Sequence, residues 1–311
     1  MRTSPRRRSS RKIEPCKSNC CKSAKVRGAI ASATSPQKGI NLDLLKVTKP
    51  SISSTKDLST CTTNQQQEGQ SIMFVEHLSE LNKIATDDNV QLAVWRNSSP
   101  PKFTKALSNP TLALEDLPTF DGLVPAYPGM VAEVMKRYMW MPYKLRSRKS
   151  VLDEGGIDEL VQHVDRLVNA FADIVVPESA FTTDDDGESE SEEPQLPFIH
   201  VKIEAIDTDG CRFWHQDSVS HRMLTTYRGP CTEYVSPNYS RAMLKQRQFD
   251  SDHAQSLSHC DVAVFKGRGD NSDAVELYDQ PGIVHRSPRT EGRGVCRLLL
   301  VIDIPKEGWH M

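Results

Sequence analysis

Residues 211–217, Cys-Arg-Phe-Trp-His-Gln-Asp, read together with residues 284–286, Val-His-Arg, decide how this chain is to be understood. His215 and Asp217 stand two residues apart. On extended backbone that spacing sends both side chains to one face, so an imidazole and a carboxylate converge. A second histidine delivered by another strand, His285, completes a set of two imidazoles and one carboxylate. Such a set leaves coordination positions open and suits non-haem Fe(II). A lone His-x-Asp arises often by chance, so its weight depends on the strands around it.

Those strands read with a period of two. Ile199, Val201, Ile203 and Ala205 alternate with His200, Lys202 and Glu204, and Asp207-Thr208-Asp209-Gly210 then turns the chain. Arg222 to Tyr227 is the next strand, closed by Arg228-Gly229-Pro230. Residues 236–256 are polar and read as a loop insertion. Asp261 to Lys266 is a short strand ending at Gly267, and Pro281-Gly282 leads into Ile283-Val284-His285. Cys296 to Asp303 is the longest apolar run and predicts a central strand, on which Arg297, Leu299 and Val301 share one face. Many short strands between turn residues predict a sandwich or jelly roll.

Upstream the period changes to 3.6. Ile72, Val75, Leu78 and Leu81 predict a helix from Ile72 to Ala85, and Val90 to Trp95 alternates as a strand. Pro128 suits the first turn of a helix running through Met130, Val134 and Tyr138. The clearest helix is Ile157 to Val176, with Ile157, Leu160, Val161, Val164, Leu167, Val168, Phe171, Ile174 and Val175 on one stripe and Pro177 as its stop. His163 falls beside that stripe and reads as a packed or surface histidine. The division predicted is a mainly helical region over 71–182, an acidic loop over 183–195 and a β-rich region over 196–311.

Charge is distributed unevenly over the 311 residues. Residues 1–42 carry eleven Lys/Arg against the single acid Glu14, while the whole chain has a net charge of −2, so the remainder is acidic. Seven acids lie between Asp184 and Glu193, a composition that favours a solvated loop. An acidic folded part argues against a nucleic-acid-binding core. Residues 1–70, rich in Ser, Thr, Lys, Arg and Gln, predict a disordered basic tail, with an organelle-targeting or nuclear address as alternatives. The eight cysteines form no dense framework and read as reduced thiols of an intracellular protein. No stretch approaches the roughly 20 apolar residues of a membrane span, which predicts a soluble protein.

The segments Val90-Gln-Leu-Ala-Val-Trp95, Cys211-Arg-Phe-Trp-His-Gln-Asp217, Thr226-Tyr-Arg-Gly-Pro230, Asp261-Val-Ala-Val-Phe-Lys-Gly267, Val284-His-Arg-Ser-Pro288 and Arg297-Leu-Leu-Leu-Val-Ile-Asp303 resemble a family of uncharacterised proteins, domain of unknown function 1826. The resemblance covers about residues 75–305. Cys231 stands where that family's Gly-Pro-Gly-Thr pattern has a glycine. The order of events in the second half also resembles the double-stranded β-helix of the Fe(II)/2-oxoglutarate oxygenases. That likeness implies an α+β fold, with a helical N-terminal half packed on a C-terminal double-stranded β-helix of jelly-roll or cupin type. It implies Fe(II) on His215, Asp217 and His285, and 2-oxoglutarate as a small-molecule cosubstrate.

In those enzymes a basic residue on a late strand holds the cosubstrate's distal carboxylate. Arg297 suits that role because a guanidinium grips a carboxylate in bidentate fashion. Arg293 is a second candidate, although Gly292 and Gly294 put it in a turn. Tyr227 and Arg222 are candidates to line the pocket. Two other readings use the same residues: a non-catalytic divalent-metal protein of metal homeostasis, with zinc as the alternative ion, or an interaction scaffold whose site is vestigial. His221, His253 and His259 are lesser ligand candidates.

Overall fold

The computed structural model describes residues 71–146, 151–176, 197–246, 252–269 and 282–305. The basic tail and the acidic run lie outside the described residues. A seven-stranded sheet is the frame. At one edge β1 (Ile72–Val75) and β2 (Leu92–Trp95) pair in parallel. Next come β8 (Val262–Lys266), β5 (His221–Arg228), β10 (Arg297–Asp303), β4 (Phe198–Ile206) and β3 (Phe120–Pro125), each antiparallel to its neighbour. A second, antiparallel sheet holds β6 (Glu233–Val235) between β7 (Ala254–Ser256) and β9 (His285–Arg286). The protein is therefore α+β, dominated by a large and mostly antiparallel sheet.

Alternation along each strand gives the large sheet two different faces. One face carries Met223 and Tyr227 of β5, Val262 and Val264 of β8, and Leu298, Leu300 and Ile302 of β10. The helices cover it: α1 (Lys83–Thr86), α2 (Phe103–Leu107), α3 (Met130–Arg146) and α4 (Glu154–Val175). The opposite face carries Leu92, Val94, Leu224, Ala263, Phe265 and Leu299, which pack with Cys231, Tyr234, Leu257 and Ile283 of the small sheet and its flanks. Each Leu, Val, Ile or Phe buried this way contributes about 1.5–3 kcal/mol.

The helix α4 forms where its stripe predicts. Asp153 caps it by accepting from the Gly156 N–H at 2.8 Å, and its apolar stripe is buried from Ile157 to Ile174. In α3 the buried face is Val131, Met135 and Met139, one position on from the Met130, Val134 and Tyr138 series. Tyr138 is 63% exposed, because α3 lies against α4 and β3 with its other side.

Two expectations fail here. Residues Ile72–Ala85 are not one helix; they form β1, a 3-10 turn over Leu78–Asn82 and the short α1. Pairing with β2 decides this, since Ile72 then packs into one core and Met73 into the other, as a strand requires. The 236–256 segment is not simply loop: α5 (Pro237–Gln246) buries Met243 and Leu244 against Trp214, Val235 and Val284, and β7 follows. Residues 72–125 supply β1, β2 and β3, three of the large sheet's seven strands.

Candidate functional site: a histidine and carboxylate cluster

Strand pairing builds the site. His215 and His285 exchange two backbone hydrogen bonds, each 3.0 Å, and so face each other as an antiparallel bridge. Their rings lie side by side at 4.5 Å between centroids. Asp217, two residues beyond His215, projects to the same side. Donor atoms of the three residues all fall within 4.8 Å of one another, the geometry of a set that could hold a metal ion. Trp214 and Arg286 point the other way, where the Arg286 guanidinium covers the fully buried Trp214 ring at 4.5 Å.

The segment after Asp217 is tied down by Gly267. The Gly267 N–H donates to the Ser220 carbonyl and the Arg268 N–H to the Asp217 carbonyl, both at 2.8 Å. A Cβ at position 267 would lie 2.0 Å from the Val219 carbonyl oxygen, so only glycine permits this approach. The Phe265 ring, two residues earlier on β8, packs on His285 at 4.7 Å between centroids.

Hydrogen bonds then aim the donors. His215 Nδ1 lies 2.8 Å from the Phe213 carbonyl, and His285 Nδ1 lies 3.3 Å from the Ile283 carbonyl. A carbonyl only accepts, so Nδ1 carries the proton on each ring and Nε2 offers its lone pair to the cluster. His285 Nε2 lies 3.4 Å from Asp217 Oδ2, and His215 Nε2 lies 3.9 Å from Oδ1. Burial pushes the His285 pKa down to about 4, which keeps its imidazole neutral at pH 7. Burial alone would raise the Asp217 pKa, but His285, Arg222 and His215 outweigh it and hold the carboxyl below its ordinary value.

Arg222 completes the arrangement. Its Nη1 donates to Asp217 Oδ1 at 2.6 Å, while Nε and Nη2 donate to the two oxygens of Asp303 at 2.7 and 2.9 Å. Oδ2 of Asp217 is buried with no hydrogen-bond partner. Neither Asp303 nor Phe265 stands out in the sequence by its residue type. The two-residue period would have found Asp303, because Arg297, Leu299, Val301 and Asp303 share one face of β10.

The remaining candidates divide. Arg297 is 1% exposed and faces the second sheet, where its Nη2 meets Thr232 Oγ1 at 3.2 Å and its Nη1 meets Ser287 Oγ at 3.4 Å. Its Nε has no hydrogen-bond partner among the described residues, and the Glu204 carboxylate acts on it through charge without a hydrogen bond. Burial pushes its pKa down to about 10. Tyr227 does not line this region. Alternation sends it to the helix-covered face, where it packs edge-on against Phe103 and His163. Arg293 is likewise not brought to the cluster; it stands exposed on the turn after Thr290. His221 is half-buried at the start of β5, His253 stacks on Tyr239, and the His259 ring nitrogen bonds the Gly229 carbonyl. None of these three joins the cluster.

Fold and site thus define an α+β protein with a two-histidine, one-carboxylate cluster between two sheets. Residues 76–303 match the family described as protein of unknown function (DUF1826), and the chain belongs to that family. No curated protein matches it. Among solved structures it is similar to a full-length Neurospora crassa protein in complex with alpha-KG and 5-formyluracil. The identity is 13%, with 76% of this chain and 84% of that chain covered at a TM-score of 0.36. It is also similar to the selenomethionine-labelled Fe(II)/(alpha)ketoglutarate-dependent dioxygenase TqaL. Here the identity is 11%, with 75% and 91% covered at a TM-score of 0.35. No described helix is long and apolar enough to cross a membrane.

Proposed function

We propose that this protein is an Fe(II)- and 2-oxoglutarate-dependent oxygenase, with its two sheets forming a double-stranded β-helix. The observation that carries this reading is the cluster itself: two Nε2 lone pairs and one buried, unpartnered carboxylate oxygen directed to one point. A buried anionic oxygen without a partner is costly, and a divalent cation is the partner that answers it. Two imidazole nitrogens with one carboxylate oxygen favour a transition ion over calcium or magnesium. The bound ion would supply open coordination positions for 2-oxoglutarate and dioxygen. Dioxygen would oxidatively decarboxylate 2-oxoglutarate to succinate and carbon dioxide, one of its oxygen atoms entering succinate and the other the substrate.

The chain's own residues bind and orient. The Phe213 and Ile283 carbonyls fix both imidazoles with Nε2 free. Asp217 supplies the negative charge. Arg297, a buried guanidinium whose hydrogen-bond partners are hydroxyls, is suited to a carboxylate and is assigned the distal carboxylate of the cosubstrate. A purely metal-binding protein would leave that buried cation without a function. This favours the oxygenase over the metal-homeostasis reading.

The test uses the full chain held free of oxygen. Addition of Fe(II) followed by 2-oxoglutarate should give the visible charge-transfer absorption of a chelated 2-oxo acid. His285→Ala should abolish it. Arg297→Ala should weaken 2-oxoglutarate binding by about tenfold or more, the loss of one charge-assisted carboxylate contact of about 1.5–3 kcal/mol. Tight metal binding with no such band would refute the cosubstrate and leave a metal-binding protein.

A further inference from the structure

We propose that Arg222 is a positioning residue that sets which class of metal the cluster accepts. The inference rests on the reading that His215, Asp217 and His285 hold a divalent ion. Arg222 occupies Oδ1 of Asp217 at 2.6 Å and is itself held in a fork by both oxygens of Asp303, across the β5–β10 pair. The side chain is largely buried, with 25% of it exposed, and its three bonds use three different nitrogens. A planar guanidinium can bridge two carboxylates in this way, and a lysine ammonium cannot reproduce the fork.

Two consequences follow for a bound cation. First, the carboxylate is left with one oxygen that no hydrogen bond engages. Oδ1 is taken by Arg222, and only Oδ2, at 3.4 Å from His285 Nε2, remains open. Calcium collects six to eight oxygens and draws readily on bidentate carboxylates, so a one-oxygen site with two imidazoles suits it poorly. Iron, cobalt and zinc accept that donor set. Second, the charges balance. Asp217, Arg222 and Asp303 together carry −1; without the guanidinium the same position would present two adjacent carboxylates, a setting that attracts hard cations. Arg222 therefore excludes calcium both by occupying an oxygen and by cancelling a charge.

The experiment titrates metal-free, full-length protein with Co(II), read by its visible d–d absorption, and repeats the titration in competition with Ca(II). Wild type should bind Co(II) with little displacement by Ca(II), and His285→Ala should lose the Co(II) signal. In Arg222→Gln the ratio of Ca(II) to Co(II) dissociation constants should fall by about tenfold, the scale of outer-shell effects at metal sites. The d–d band should shift as Asp217 gains its second oxygen. Asp303→Asn keeps Arg222 on Asp217 and removes a charge, so it should not move selectivity toward Ca(II).

An Arg222→Gln protein that binds Co(II) with unchanged ratio and band would overturn the proposal, leaving Arg222 as a strut of the sheet and the metal site intact. No Co(II) signal in wild type would overturn the metal site, and this inference with it. Should Arg222→Gln fail to fold, Arg222→Lys decides: it keeps the charge without the fork and should alter the band, and an unaltered band refutes the positioning role.

Discussion

The two faces of the seven-stranded sheet are made by the same strands and obey different rules. On the helix-covered face β5 and β10 present Met223, Tyr227, Leu298, Leu300 and Ile302, and burial there favours the neutral forms of His163 and Tyr227. Turned over, the same two strands present Arg222, Arg297 and Asp303, three charged groups on the side of Asp217 and the two histidines. The strand period separates stability from chemistry residue by residue. One face is an ordinary core; the other keeps charges that no isolated core would retain, because burying a charge costs several kcal/mol unless a partner offsets it.

The independence of the two faces is tested most severely from the helix side. Phe171 is fully buried on α4. Phe171→Ala should lower stability by about 3–5 kcal/mol, the usual cost of a large buried aromatic and the cavity it leaves. Urea unfolding measures the loss. The folded fraction should bind Co(II) with an affinity within about twofold of wild type, since changes at well-separated sites add independently. A coupled loss of affinity would show that the faces are not separable.

Acid also separates the two faces. His163 packs beside Tyr227 and Phe103, and burial first, then the Arg166 charge, pushes its pKa down to about 4. The unfolded chain, with an ordinary value near 6.5, therefore binds a proton that the folded chain refuses between pH 6.5 and 4. Stability is complete above about pH 6.5 and falls as pH drops through that window, by on the order of 3 kcal/mol at most. His163→Gln should reduce the difference in urea midpoint between pH 7 and pH 5. The same difference in wild type and variant would mean that His163 is solvated, against its place in the core. His285 carries a similarly low value, so part of the acid sensitivity should survive in the variant.

Much of this organisation is legible in the chain. The long stripe of α4 reads directly, because nine apolar residues at helical spacing admit one buried face. The alternation of β4 and β10 reads equally well, and so does the pairing of His215 with Asp217 on one side. What does not read is whatever depends on a distant partner. Ile72 to Val75 becomes a strand only because β2 lies beside it, and local apolar spacing resembles a helix just as well. Residues 236–256 look polar because α5 buries few side chains, Met243 and Leu244 among them. Tyr227 shows the same limit at the site. Its strand-mate Arg222 lies on the other side, and only the register against β10 says which face is which.

Tyr227 also provides the smallest and cleanest test. Its hydroxyl is buried among Phe103, His163 and other apolar groups with no hydrogen-bond partner among the described residues. Burial raises its pKa well above the ordinary phenol value, so it stays a neutral hydroxyl that neither donates nor accepts. An unsatisfied hydroxyl of this kind costs about 1–3 kcal/mol, and Phe fills the same ring volume without it. Tyr227→Phe should therefore leave stability unchanged or raise it by about 1 kcal/mol, a melting-temperature rise of roughly 2–4 °C at this chain length. Metal affinity should not move. On the site face the same logic inverts: Oδ2 of Asp217 and Nε of Arg297 are also unpartnered, yet under the function proposed above a ligand completes them. A Tyr227→Phe protein destabilised by more than about 1 kcal/mol would show that its hydroxyl has a partner after all, such as a buried water, and that the helix face is not the dry core its residues describe.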